Sequence, residues 1–174
     1  MLTGLSRRVY LEVLVVVVVF WTFFCGNSIA ADEARALELS QALTQVKLFA
    51  GLTDEERDAL KSATTLRRCK EGERIIEQGK SLDRMFIVLE SQAEVRVNGK
   101  VVATLPEEAL VGEVEFLDML PASADVVVLK ETYLIELNNS ALTGLMKKHP
   151  RLGYMLMSEI ARIEGQRLRA MDPK

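Results

Sequence analysis

Residues 111–125 contain the side chains of this sequence that are best placed to bind a ligand. The stretch reads VGEVEFLDMLPASAD, with Gly112-Glu113 near its start and Pro121 followed by small residues. A short helix that begins at a Gly-Glu pair offers free backbone N–H groups to an anion. Residues 101–129 contain six acids and no Lys or Arg. The pattern is therefore typical of an anion site, but it lacks the cation that such a site normally uses.

Helices are predicted on both sides of a β-rich middle. Residues 32–47 have helical spacing, with Leu37, Leu43 and Val46 on or near one face. Residues 53–56, Thr-Asp-Glu-Glu, form a capping box that begins a helix reaching about residue 63. A short helix follows over residues 140–148, and Pro150 fits the first turn of the last one. That last helix carries apolar residues at three- and four-residue spacing: Leu152, Met155, Leu156, Ile160 and Ile163.

The middle of the chain predicts six to eight short antiparallel strands. Residues 85–97 are interpreted as one long strand, with apolar and charged residues alternating in its second half. Asn98-Gly99 is a strong hairpin signal, and residues 101–105 form the returning strand. Two further strands are expected at 125–129 and 132–137. The fold class is thus mainly β with flanking helices.

Residues 1–30 have the composition of an export signal. Two Arg precede the apolar run 13–24, and Ser28-Ile29-Ala30 places small residues before a cleavage point. Twelve helical residues span about 18 Å, which is short of the ~30 Å hydrocarbon core of a membrane. We therefore expect residues 1–30 to be a signal peptide and the chain to be exported, to the periplasm. An uncleaved anchor, a twin-arginine route and a lipid on Cys25 stay open as alternatives.

Composition excludes several classes of function. The formal net charge is −3 and there is no basic block, so a nucleic-acid partner is not expected. His149 is the only histidine, which leaves no Ser-His-Asp or Cys-His arrangement and no histidine metal set. Without the signal, Cys69 is the only cysteine and no disulfide within the chain is possible. The sequence predicts neither an enzyme nor a metal protein.

The order and spacing of several segments resemble the cyclic-nucleotide-binding domain, the β-roll sensor of catabolite-activator and Fnr-type regulators. The segments are VKLFAGLTDEERDAL, KEGERIIEQGK, FIVLESQAEV, VATLP, VGEVEFLDMLPASADVVV and LTGLMKKHPRL. The resemblance implies an antiparallel, jelly-roll-like β-roll (a double-stranded β-helix) with N-terminal helices and two C-terminal helices. It covers residues 46–169, after a helical lead at 31–45 and before a tail at 170–174.

In that family, the stretch equivalent to residues 111–125 is the phosphate-binding cassette, and we call it the cassette. The resemblance implies that Glu113 would accept from a ribose hydroxyl and that an Arg after the Pro would pair with the phosphate. Here the position after the Pro is Ala122. If the site is functional, its ligand-binding residues are Gly112, Glu113, Val114, Pro121, Ala122 and Ser123.

Two functions follow from these residues. The first is a weak sensor of cyclic AMP or cyclic GMP, which would be the only cofactor expected. The second, which we favour, is a degenerate, non-catalytic binding or interaction module that has lost phosphate recognition. Its partner would be an unidentified protein or a second copy bound through the C-terminal helix. A membrane partner is expected only through an uncleaved N-terminus. Arg96, Arg162 and Arg167 are nominal candidates to replace the missing Arg, but the sequence does not place them.

Overall fold

The structure is a computed structural model that describes residues 36–171, and the predicted export signal lies outside them. Residues 36–45 are helical (α1), and short 3-10 helices occupy Lys47–Phe49 and Lys61–Ala63. The other helices are α2 (Asp54–Leu60), α3 (Glu113–Asp118), α4 (Asn139–Lys148) and α5 (Pro150–Met171). The strands are β1 (Thr64–Cys69), β2 (Arg74–Ile76), β3 (Arg84–Val88), β4 (Ala93–Val97), β5 (Lys100–Leu105), β6 (Ala109–Val111), β7 (Asp125–Val128) and β8 (Thr132–Asn138).

The eight strands form two antiparallel four-stranded sheets, which confirms the predicted fold class. The first sheet has the order β1-β8-β3-β6 and the second has the order β2-β7-β4-β5. Because side chains alternate across a strand, β3 contributes to two cores. Phe86 and Val88 lie between the sheets, in what we call the roll-interior cluster. Met85 and Ile87 pack on the other side, in what we call the helix-side cluster.

The last helix packs on its own sheet through the residues predicted from its spacing. Leu152, Leu156 and Ile160 are buried in the helix-side cluster together with Phe49 and Ile135. These three side chains are therefore not free to bind a second copy. The structure also confirms the start of α5 at Pro150 and the capping box before α2. None of the helices among residues 36–171 combines the length and hydrophobicity needed to cross a membrane.

Two details of the predicted elements are wrong. The single strand expected at 85–97 is two strands in different sheets, because the chain crosses between the sheets at 89–92. The Ser91 hydroxyl supports this crossing by accepting from the Lys130 N–H at 3.0 Å. Leu37, expected on an apolar face, is exposed. The extent of the helix expected over 53–63 is confirmed, since an α-helix reaches Leu60 and a 3-10 helix continues it to Ala63.

Candidate ligand-binding site

The cassette connects β6 to β7 through α3, and its geometry depends on Gly112. This residue has φ +84°, in the left-handed region that favours glycine, and it precedes the first residue of α3. A Cβ at this position would lie 3.2 Å from the Arg84 carbonyl oxygen and 3.4 Å from the Met85 Cα. A side chain here would therefore press against the backbone of β3, which would have to move by a few tenths of an ångström. The predicted reading of Gly112 as a turn requirement agrees with this geometry.

Ala122, at the position of the family's Arg, points into the roll interior. It is 3% exposed and packs in the roll-interior cluster. Its backbone is also fully engaged: the Ala122 N–H donates to the Lys80 carbonyl at 2.8 Å, and its carbonyl accepts from the Gly79 N–H at 2.7 Å. The position is therefore apolar and is fixed to the turn between β2 and β3.

Two acids of the cassette accept from N–H groups of the cassette itself. Glu115 Oε1 accepts from the Ser123 N–H at 3.2 Å, and Asp118 Oδ1 accepts from the Leu120 N–H at 2.9 Å. An incoming anion would have to compete with these carboxylates for the same donors and would be repelled by their charge. The chain thus supplies its own anions at the place where the family binds a phosphate.

The carboxyl group of Glu113 is held by the C-terminal helix. Glu113 is 3% exposed, and Arg167 of α5 donates to its Oε1 atom. The same guanidinium donates to the Leu110 carbonyl at 2.6 Å and to Glu164 Oε1 at 2.8 Å. The second oxygen, Glu113 Oε2, is buried and has no hydrogen-bond partner among the described residues. Burial raises the pKa of Glu113 to about 7, although Arg167 acts in the opposite direction.

The predicted site residues do not form one binding surface. Gly112, Glu113 and Ala122 are buried, whereas Val114, Pro121 and Ser123 are exposed. Ala122 packs between the sheets, while Glu113 is paired with α5. A ligand that contacted Ala122 would therefore not necessarily contact Glu113 as well.

Of the three candidate replacement arginines, Arg167 is the one whose described side-chain hydrogen bonds reach the cassette, whereas Arg96 meets it through the strand pairing with Asp125. Arg96 pairs with Glu94 at 2.5 Å, and Arg162 pairs with Glu159 on its own helix. Arg167 contacts Glu113 rather than the neighbourhood of Ala122. Sequence reasoning missed this pairing because Arg167 lies 54 residues after its partner. The only local signal was that Arg167 follows the acid Glu164 by three positions on a helix.

A model of the cyclic nucleotide-binding domain matches residues 66–149. Residues 66–149 form a cyclic-nucleotide-binding-like domain. The chain is also 28% identical over 137 residues to the Pycsar effector protein XpPycTIR of Xanthomonas perforans, an alignment that covers 78% of this chain and 45% of that protein. The curated relatives are longer proteins, of which this chain spans 11–45%.

Solved structures share the fold of this domain. A cyclic nucleotide-binding domain from Methylobacillus flagellatus has a TM-score of 0.67 and 23% identity, and the match covers 80% of this chain and 81% of that one. The regulatory subunit of a cAMP-independent protein kinase A from Trypanosoma brucei has a TM-score of 0.57 and 26% identity, covering 68% and 45%. The same β-roll therefore occurs in a protein described by its nucleotide ligand and in one described as independent of cAMP.

Proposed function

We propose that this chain is a non-catalytic binding or interaction module that keeps the β-roll of the cyclic-nucleotide-binding domain and has lost phosphate recognition. The observation that carries this proposal is the position of Ala122. A side chain without charge stands where the family's Arg pairs with the phosphate, and it is packed among apolar residues. Arg167 binds Glu113, and the guanidinium of Arg74, which also contacts the cassette, lies 3.7 Å from the Asp125 carboxylate.

The size of the missing interaction opposes tight binding of a phosphate. Removing one partner of a desolvated, hydrogen-bonded charge pair costs about 2–5 kcal/mol. At about 1.4 kcal/mol per tenfold change, this lowers the affinity by between one and four orders of magnitude. The carboxylates of Glu115 and Asp118 accept from cassette N–H groups and oppose a phosphate further. A micromolar site would become a site of tens of micromolar to millimolar affinity.

The alternative is a weak sensor of cyclic AMP or cyclic GMP. Glu113 favours it, because the family's ribose acceptor is present and one of its oxygens has no partner among the described residues. The names of several relatives, which are cAMP- and cGMP-dependent kinase proteins, favour it as well. Against it, the Glu113 carboxyl group is buried under α5 and already accepts from Arg167.

A module without its ligand would act through its surface. The exposed side of α5 offers Tyr154 and Leu168, which are 70% and 66% exposed. The tip of the cassette offers three further exposed apolar residues: Leu117, Met119 and Leu120. If a second copy or another protein binds, it has to use such outward side chains, because Leu152, Leu156 and Ile160 are occupied by the chain's own core.

Isothermal titration of the protein with cyclic AMP and cyclic GMP separates the two functions. We expect no binding, or dissociation constants well above about 10 µM for both nucleotides. Measured affinity tighter than about 10 µM for either one would contradict the loss of phosphate recognition and favour the sensor.

Ala122→Arg tests whether the missing Arg alone explains the loss. We expect no tight binding, because the carboxylates of the cassette remain and because a buried, unpaired guanidinium destabilises the apolar roll interior. Ser123→Arg, at the exposed neighbouring position, is the matched control and should unfold at the wild-type temperature. Micromolar nucleotide binding by Ala122→Arg would show that the surrounding acids are incidental.

A further inference from the structure

The last two turns of α5 are held to the β-roll mainly by Arg167. Ile160 is fully buried and Ile163 is partly buried against the helix-side cluster. From residue 164 to residue 170 no side chain is buried. In this part of the helix, the hydrogen bonds to the roll come from the Arg167 guanidinium, which donates to Glu113 and to the Leu110 carbonyl. The position of the helix end therefore depends on one charged group.

This end of the helix also forms one wall of a recess, which we call the α5 recess. The recess has a volume of about 610 Å³ and lies between α5 and the segment from Leu105 to Leu110. Ile163, Gln166 and Arg167 belong to the helix wall, and Ile87 lies on the opposite, sheet side. Movement of the helix end would change access to this partly apolar surface.

The charges around Arg167 do not balance. Two carboxyl groups, those of Glu113 and Glu164, share one guanidinium. The charged groups that act on Glu113 are Arg167 and Glu164, and both belong to α5. Glu164 is partly exposed and can be solvated, whereas Glu113 is buried with one oxygen unpaired among the described residues. An ionised Glu113 would thus leave excess negative charge in a place that water does not reach.

We propose that the C-terminal end of α5 is a proton-controlled latch, which is docked on the β-roll while Glu113 is neutral and is released when Glu113 ionises. Docking would bury the carboxyl group and take up a proton, and release would return the carboxylate to water. The latch is tested on the protein without added nucleotide, so it can hold or fail independently of the proposed function.

The direction of the pH effect follows from the pKa of Glu113 in the two states. The pKa is about 7 when the group is buried and has the ordinary value of 4.5 when the group is in water. A carboxyl group whose pKa is raised by docking favours the docked state fully at pH values below the lower pKa. This contribution is lost as the pH rises from about 4.5 to about 7, and it stays lost at higher pH.

Hydrogen exchange of residues 164–171 measures the latch directly. After correction for the intrinsic exchange rate, protection in this segment should fall by about one to two orders of magnitude between about pH 5 and about pH 8. Segments of the core strands β3 and β8 should show no comparable change. Constant protection, or protection that rises with pH, would overturn the proposal, and this measurement needs only the wild-type protein.

Three variants assign the effect to Glu113. Glu113→Gln is neutral at every pH and should keep residues 164–171 protected at about pH 8. Glu164→Gln leaves one acid for the guanidinium and should move the transition to lower pH. Glu159→Gln is the matched control, because Glu159 pairs with the exposed Arg162 on the same helix and should leave the profile unchanged. An unchanged pH profile in Glu113→Gln would refute the assignment, and carbon NMR titration of the wild-type carboxyl groups tests it without any substitution.

Discussion

Gly112 is a position where the backbone, rather than a ligand, decides the residue type. Its φ of +84° is strained for other residues, and a Cβ there would approach the backbone of β3 at Arg84 and Met85. Gly99 offers a comparison, since it has φ +78° but no atom within 4 Å of the position of an added Cβ. A substitution at Gly99 therefore measures the cost of backbone strain alone, whereas one at Gly112 measures strain and steric contact together.

Gly112→Ala should destabilise the protein more than Gly99→Ala. Left-handed backbone costs about 1–2 kcal/mol for a residue with a Cβ, and Gly112→Ala adds a contact with β3. We expect about 2–3 kcal/mol for Gly112→Ala and about 1 kcal/mol for Gly99→Ala. Chemical denaturation gives both values, and equal losses would mean that the close approach to β3 relaxes without cost.

The residues of the site differ in how far the sequence could predict them. The spacing to Gly112 and Pro121 is enough to assign Ala122 to the position of the family's Arg. The spacing could not show that its side chain packs into the roll interior, which the structure does. Arg167 could be named only as one candidate among three, because a contact between α5 and the cassette depends on the packing of the whole last helix. Local patterns predict neighbours along the chain, and this contact is not local.

At the scale of elements, the signals that depend on a few adjacent residues were the reliable ones. Thr53 accepts from the Glu56 N–H at 3.3 Å and Glu56 Oε2 accepts from the Thr53 N–H at 2.9 Å, as the capping box predicts. Asn98-Gly99 likewise joins β4 and β5 with positive φ at both residues. The apolar run at 85–97 was misleading because Met85 to Val88 is buried on both faces, and such a strand has no alternating pattern to mark its end.

Thr53→Ala tests the capping box. Loss of the hydroxyl leaves an N–H of the first turn of α2 without its acceptor, and we expect about 1 kcal/mol of lost stability. Thr44→Ala is the control, because Thr44 lies inside α1, where its hydroxyl donates only to the Ser40 carbonyl of the same helix. It should change stability by less than about 0.5 kcal/mol. Equal effects in thermal unfolding would show that the cap is not stabilising.

At the scale of the molecule, the first sheet separates two apolar clusters with different roles. The roll-interior cluster fills the space between the sheets and includes Ala122. The helix-side cluster joins the sheet to the helices through residues such as Phe49 and Leu156. Because α5 contributes fully buried residues to the helix-side cluster, the packing of this helix on the first sheet is part of the fold of a single chain. Association with a partner through α5 would have to use the opposite side of the helix.

Leu156→Ala and Leu168→Ala distinguish these two sides of α5. Leu156 is 1% exposed, so its truncation should cost about 2–5 kcal/mol through lost burial and a cavity, at every protein concentration. Leu168 is exposed, so its truncation should change the stability of the single chain by less than about 0.5 kcal/mol. If α5 also mediates self-association, Leu168→Ala should lower the unfolding midpoint only at high concentration, since stabilisation by a partner depends on mass action. A concentration-dependent loss for Leu156→Ala would instead mean that the buried face of α5 belongs to an interface between copies, contrary to the packing seen here.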